Sequence, residues 1–147
     1  MADHVHKQIR AAVVAAVTGL TTSGSRVYAN RLYPLTEANL PGLRVFMDQE
    51  DAQAQSIHAP HLQERTARLV VECCAKATSA LDDTLDLMSK EVEVALAAAL
   101  TVGGKSVQLI YSGMEFDDEI SNQPAGMKRL SFDCQFYTQN NAPDILV

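Results

Sequence analysis

The chain has 147 residues, of which 47% are apolar and 20% are charged, and its formal net charge is −6. These values are ordinary for one soluble globular domain, and no apolar run approaches the roughly 20 residues that a membrane helix needs. An acidic chain without Trp is also poorly suited to grip duplex DNA or to stack bases. The opening letters MADHVHKQIR lack the layout of a signal peptide, which predicts a cytoplasmic location.

A helical pattern begins near the N-terminus. Asp3 can cap its start and Gly19 can end it in a left-handed conformation, so we predict a helix from Asp3 to Thr18. Its apolar residues recur at three- and four-residue spacing and form one stripe: Val5, Ile9, Ala12, Val13, Ala16, Val17 and Leu20. The letters TTSGS that follow predict a turn.

Three extended segments come next. RVYANRLYPL contains strand-forming residues, but Pro34 ends any ladder there. LPGLRVFMD and RTARLVVECCAKA both alternate, and the second predicts a half-buried strand with one apolar face: Ala67, Leu69, Val71, Cys73 and Ala75. The connection between them is polar and without periodicity, so we predict a protruding or mobile loop over residues 48–61.

The stretch SALDDTLDLMSKEVEVALAAAL raises the question of a metal site. Ser79 is a good N-cap, and Asp82 and Asp83 in a first turn would gain about 0.3–1 kcal/mol each from the helix dipole. Asp86 stands four residues before Lys90, the favourable order for an ion pair. We therefore predict the start of a second helix rather than a metal site, with this apolar stripe: Leu81, Leu85, Met88, Val92, Ala95, Leu96 and Ala99.

Gly103-Gly104 is predicted to end that helix, and two alternating segments follow. SVQLIYSGMEF and MKRLSFDCQFY predict strands joined by DDEISNQPAG, and TQNNAPDILV predicts an irregular tail over residues 138–147. The order is α-β-β-β-α-β-β. It predicts an α+β fold and a single domain over residues 1–147, with a mainly antiparallel sheet and two helices on one face.

No grouping of residues predicts catalysis. Cys73 and Cys74 are adjacent and would point to opposite faces of a strand, so buried reduced thiols are favoured over a metal site or a disulfide. His58 and His61 in HAPH have chelate-like spacing but no third ligand. TVGGK has the wrong polarity for a phosphate loop, because its glycines lead from a helix into a strand. We predict no enzyme, no metal and no cofactor.

In the order of its segments and in their residue patterns, the chain resembles the tail terminator proteins of long non-contractile-tailed bacteriophages, the lambda-like minor tail protein family. The resemblance covers nearly the whole chain and contains no catalytic motif. Its segments are IRAAVVAAVTGL, TTSGSRVYANRLYPL, LPGLRVFM, RTARLVVECCAKA, LDDTLDLMSKEVEVAL, YSGMEF and RLSFDCQFYT.

The resemblance implies a structural virion protein. Such a subunit forms a ring, a hexamer, that caps the head-proximal end of the tail tube, stops polymerisation and offers a surface to the head connector. The implied partners are further copies of the chain, the tail tube protein and the head–tail connector protein. DNA passes through the ring without specific binding, and no membrane is involved. The implied location is the host cytoplasm during assembly and then the virion tail.

Two contact regions are hypothesised. The polar loop would reach the tube or the lumen through five side chains: Asp48, Glu50, Asp51, His58 and His61. The apolar end of the tail would dock on a neighbouring subunit through Ile145, Leu146 and Val147. A ring needs head-to-tail interfaces, which sheet edges and such a tail can supply.

Other interpretations stay open. The same α/β texture suits a head–tail joining, neck or tail-completion protein. A small metal-dependent enzyme could use the His58/His61 loop or the acids of the second helix. A free-standing ligand-binding domain is a further alternative, although the sequence has no polar pocket pattern for it.

Overall fold

The computed structural model of the chain describes residues 2–29, 39–76, 79–117 and 125–147. Its elements in chain order are α1 Val5–Val17, β1 Val27–Tyr28, β2 Gly42–Ala54, β3 Leu62–Lys76, α2 Leu81–Ala95, β4 Leu100–Val102, β5 Lys105–Val107, β6 Leu109–Asp117 and β7 Ala125–Gln139. The predicted order α-β-β-β-α-β-β is confirmed, with the short β4–β5 hairpin as an addition. The predicted break at Pro34 and most of the DDEISNQPAG connection lie outside the described residues.

One five-stranded sheet carries the fold, in the order β1-β2-β3-β7-β6. The β1–β2 pair is parallel, and the other three pairs are antiparallel. The long strands β3 and β7 pair from Leu62↔Gln139 to Lys76↔Ala125. The mainly antiparallel sheet predicted from the alternating segments is therefore confirmed.

Both helices pack on the same face of this sheet, as predicted. α1 contributes four fully buried side chains at helical spacing, Val5, Ile9, Val13 and Val17. They share one core with the apolar faces of β2, β3 and β7 and with the inner face of α2. Adjacent Cys73 and Cys74 lie in separate clusters on opposite faces of β3, as period-two geometry requires.

The helix ends differ from the sequence prediction. α1 begins at Val5 rather than Asp3, and the side chain of His4 caps it by accepting a hydrogen bond from the N–H of His6. α2 begins at Leu81 after Ala80, with no side-chain cap from Ser79. Its first turn carries Asp82 and Asp83, as predicted.

Gly103 and Gly104 do not end α2, which stops at Ala95. They form the two-residue turn between β4 and β5, where Val102 pairs with Lys105. Their φ angles of 56° and 78° are the left-handed values that tight hairpin turns require and that glycine adopts without strain. The predicted strand SVQLIYSGMEF is consequently divided at Gln108 between β5 and β6.

Candidate assembly surfaces

The far half of β2 and the start of β3 form a strand-paired extension, residues 48–66, called the arm below. Its register continues to the pair Ala54↔Gln63. The predicted loop over residues 48–61 is wrong for residues 48–54, which form strand, and the connection is residues 55–61, the tip of the arm. Little of this strand segment is buried, so nothing selects the alternation by which a strand is recognised.

Hydrogen bonds hold the tip in place. The N–H of Leu62 donates to Ser56 Oγ at 2.9 Å, and His61 Nδ1 lies 2.9 Å from the carbonyl oxygen of Ser56. The N–H of His61 donates to Asn140 Oδ1 at 2.9 Å, which ties the tip to the chain beyond β7. Ile57 is nevertheless 91% exposed. The tip therefore presents one large apolar side chain on a polar scaffold.

The side chains predicted to contact the tube do not form one cluster: Asp48, Glu50, Asp51, His58 and His61. Asp48 pairs with Arg68 at 2.8 Å, and this hydrogen bond lowers the pKa of Asp48. Glu50 pairs instead with Arg65 at 2.8 Å. Asp51 is exposed on β2, and the two histidines lie in the tip. Glu50 and Asp48 thus both take part in ion pairs of the fold, and all five side chains remain predicted contact residues.

Glu50 is the centre of a junction between the arm and α1. Arg65 Nε and an Arg65 terminal nitrogen donate to its two oxygens at 2.8 and 2.9 Å, and His6 Nε2 lies 2.9 Å from Oε1. Arg65 is buried, and its guanidinium also contacts Thr138 Oγ1 and lies 5.4 Å from the Phe136 ring centre. This junction fixes the direction in which the arm leaves the core.

We expect Glu50→Gln to lower the stability of the chain in a pH-dependent manner. Burial raises the pKa of Glu50, but the hydrogen bonds from Arg65 and His6 outweigh it, so the pKa lies below the usual 4.5. A lowered folded-state pKa stabilises above the unfolded pKa and loses that effect as the pH falls through the folded value. The free energy of unfolding of the wild type should therefore exceed that of Glu50→Gln by about 1–3 kcal/mol at pH 7. This difference should disappear below about pH 4.

Urea unfolding at several pH values measures this gap. The matched control is Asp51→Asn on the same strand, because Asp51 makes no ion pair among the residues that the structure describes. A stability difference for Glu50→Gln that stays constant from about pH 3 to about pH 7, a range that brackets the pKa of a carboxylate, would contradict the prediction.

A ladder of alternating charges crosses the sheet face opposite the helices. Its members occupy paired positions on four neighbouring strands: Arg44, Glu72, Arg129 and Glu115. Glu72 contacts Arg44 at 2.8 Å and Arg129 at 2.8 Å, and Arg129 contacts Glu115 at 3.2 Å. Glu72 is only 2% exposed. The four charged side chains of the ladder thus pair with one another.

Strand β6 lies at one edge of the sheet and exposes much apolar surface. Four large side chains of this strand are exposed: Ile110, Tyr111, Met114 and Phe116. Among the described strands, β6 pairs with β7 alone. An edge strand with unpaired backbone groups and exposed apolar side chains is a surface made for association.

Comparison with known proteins identifies the family. Residues 4–136 match the family model described as phage minor tail protein U. The chain belongs to the phage minor tail protein U family. This membership supports a structural, tail-related role in a virion. It agrees with the resemblance of the sequence segments to phage minor tail proteins.

A solved structure shares the fold of this minor tail protein. It is a chain from the virion of a native gene transfer agent particle, with a TM-score of 0.54 and 22% sequence identity, and the match covers 92% of each chain. No curated protein matches the chain by sequence.

The C-terminal segment of this minor tail protein packs on its own chain. Leu146 lies in the core, and the N–H of Val147 donates to the carbonyl oxygen of Tyr137 at 3.0 Å. The Leu146 side chain is therefore not presented to a neighbour, because its burial site is its own subunit. Ile145 and Val147 are exposed and remain the predicted interface residues of this segment.

The described ranges of this minor tail protein contain no group of three or more His, Cys, Asp or Glu side chains placed to hold a metal ion. The three cysteines are free and buried, and burial raises the pKa of Cys74 and of Cys134 to about 12, which keeps their thiols protonated. No helix in the described part is long and apolar enough to cross a membrane.

Two features of these surfaces escaped the sequence analysis. Ile57 was not predicted as a contact residue, because it lies within a polar segment. Its sequence signal is a single large apolar residue between polar neighbours. The sequence predicted a strand at β6, but it does not show that this strand lies at a sheet edge, where its apolar side chains are exposed.

Proposed function

We propose that this protein forms a ring that caps the head-proximal end of a phage tail tube. The ring stops tube polymerisation and provides the attachment surface for the head connector. The match of residues 4–136 to the minor tail protein family carries this proposal. One non-enzymatic domain, assembled into a hexamer with the tail tube protein and the connector as partners, fulfils the role.

The two edges of the sheet differ, which favours a ring over a symmetric dimer. One edge is the apolar strand β6. The other edge is the polar far half of β2, beyond the two residues that pair with β1. Different surfaces on two sides produce head-to-tail contacts, and such contacts close into a ring when the rotation between subunits allows it. The individual contacts then reinforce one another around the ring.

The charge of the chain suits a DNA channel. Its net charge of −6 repels the phosphate backbone, so a ring of such subunits lets DNA pass without adhesion. On the sheet face opposite the helices, charged side chains pair with one another in the ladder and between Asp48 and Arg68. We place assembly in the host cytoplasm and the finished ring in the virion tail.

Electron microscopy of tail tubes polymerised with and without the protein tests the proposal. We expect shorter tubes that carry a ring at one end. Decoration of isolated head connectors without any effect on tubes would instead assign the protein to the neck. Tubes of unchanged length without bound protein would overturn the proposal.

The tip of the arm is the predicted contact with the tube. We expect Ile57→Asp to weaken tube-end binding by at least about tenfold, because a charge replaces an apolar anchor at the interface. Its fold should be unchanged by circular dichroism, since Ile57 is almost fully exposed. Ile57→Val is the matched control and should retain binding, as measured by co-sedimentation with tubes. Equal binding by Ile57→Asp and wild type would remove the tip from the contact.

A further inference from the structure

An apolar groove lies between α2 and the turn that follows α1. It has a volume of about 480 Å³, and its walls include Leu20, Leu87 and Val94. Leu87 is 49% exposed and Val94 is also exposed, although both belong to a helix whose other apolar residues are largely buried. These residues are called the α2 groove. Its surface is apolar enough to bury a side chain of a partner.

Two charged side chains line the α2 groove, Lys90 and Glu91. Lys90 lines the groove and has no ion-pair partner among the residues that the structure describes. The predicted pair with Asp86 does not form, because Asp86 contacts Lys128 of β7 at 3.0 Å. Glu91 also lines the groove, but its oxygens accept hydrogen bonds from the N–H and the hydroxyl of Thr22. The Glu91 carboxylate keeps its charge but is bonded within its own chain, so Lys90 is the charged group of the groove without an ion-pair or hydrogen-bond partner in the described residues.

The opposite flank of α2 faces the helix side of β6. Tyr111, Met114 and Phe116 are exposed there and are called the β6 flank. Two carboxylates of α2 lie on this side: Glu93 lines a pocket together with Tyr111, and Asp86 contacts the ammonium group of Lys128. The β6 flank is therefore apolar with an acidic border, and the α2 groove is apolar with Lys90 and the internally bonded Glu91 at its wall.

We propose that the β6 flank of one copy docks in the α2 groove of the next copy. This inference rests on the ring of the proposed function and names the surfaces that build it. The two surfaces lie on opposite flanks of one helix, so the contact is head-to-tail. In a docked pair, one copy keeps a free β6 flank and the other keeps a free α2 groove, to which further copies can add. Lys90 then meets the carboxylates of the neighbour. A two-fold contact between two β6 flanks would bring acidic borders together instead, which is unfavourable.

Site-directed cross-linking tests this contact. Leu87→Cys and Met114→Cys place one thiol in the α2 groove and one on the β6 flank, at positions that are 49% and 51% exposed. The native cysteines are buried with protonated thiols and do not compete for a maleimide reagent. Circular dichroism of both variants checks the fold. The reaction uses a short bismaleimide with the full chain, in the presence of tail tubes.

An equal mixture of the two single variants should yield a cross-linked dimer, whereas either variant alone should stay monomeric after denaturation. The double variant Leu87→Cys/Met114→Cys should yield a ladder that ends at a closed ring. Cross-linking within one single variant would show a two-fold contact and overturn the inference. Rings of native mass without cross-links in the mixture would overturn it while leaving the proposed function intact. Failure of the wild type both to self-associate and to cap tubes would overturn both.

Discussion

Replacement of Glu72 by alanine is expected to lower the free energy of unfolding by about 3–5 kcal/mol. The carboxylate is 2% exposed and lies between two guanidinium groups. Its Oε1 contacts Arg44 at 2.8 Å, and its Oε2 accepts from Arg129 Nε and a terminal nitrogen at 3.0 and 2.8 Å. Alanine removes the negative charge that both arginines contact while leaving their positive charges close together. Urea or thermal unfolding measures the loss.

Glu115→Ala is the matched control for Glu72→Ala. Glu115 ends the same ladder, but its side chain is 76% exposed, and an exposed ion pair contributes at most about 1 kcal/mol. Glu72→Gln should fall between the two, since the amide oxygen still accepts a hydrogen bond but carries no charge. Equal losses for Glu72→Ala and Glu115→Ala would show that burial does not govern the ladder.

The ladder also specifies strand register. Its members stand at directly paired positions, Arg44↔Glu72, Glu72↔Arg129 and Glu115↔Arg129. A slip of one residue would turn the whole set toward the helices, where charges would enter the apolar core. An exposed apolar sheet surface would promote non-specific association with other chains. The paired charges of the ladder keep this face polar and oppose such association. The surfaces that we propose for association lie instead at the sheet edges and in the helix layer.

The sequence predicted most of the fold where burial imposes a period. Val5, Ile9, Val13 and Val17 recur at helical spacing because one face of α1 is buried, and Ala67 to Ala75 alternate because one face of β3 is buried. In each case the spacing of apolar residues in the sequence follows from burial of one face in the core. The face on which Glu72 lies was also predicted by this alternation.

The pattern failed where the core exerts no selection. Residues 48–54 form strand by backbone pairing with β3, so their polar side chains carry no period. Asp86 could pair with Lys90 on its own helix or with Lys128 on the sheet, and only the packing of α2 on β7 decides for Lys128. The groove beside Leu87 depends on how two distant segments meet, which no local spacing records.

Leu85 and Leu87 of α2 lie two residues apart and differ in burial. Leu85→Ala should lower the free energy of unfolding by about 2–5 kcal/mol, because the side chain is fully buried and its removal leaves a cavity in the core. Leu87→Ala should change it by no more than about 0.5 kcal/mol, since this side chain is half exposed beside the groove. Chemical denaturation of both variants measures the difference.

The same pair separates folding from assembly. Leu87→Ala removes apolar surface from the α2 groove without touching the core, so it should reduce ring formation while leaving the unfolding curve nearly unchanged. Leu85→Ala should shift the unfolding curve but retain rings at temperatures where the chain stays folded, because the groove walls are intact. A Leu87→Ala variant as unstable as Leu85→Ala would show that Leu87 belongs to the core. Its surface would then not be available to a second copy.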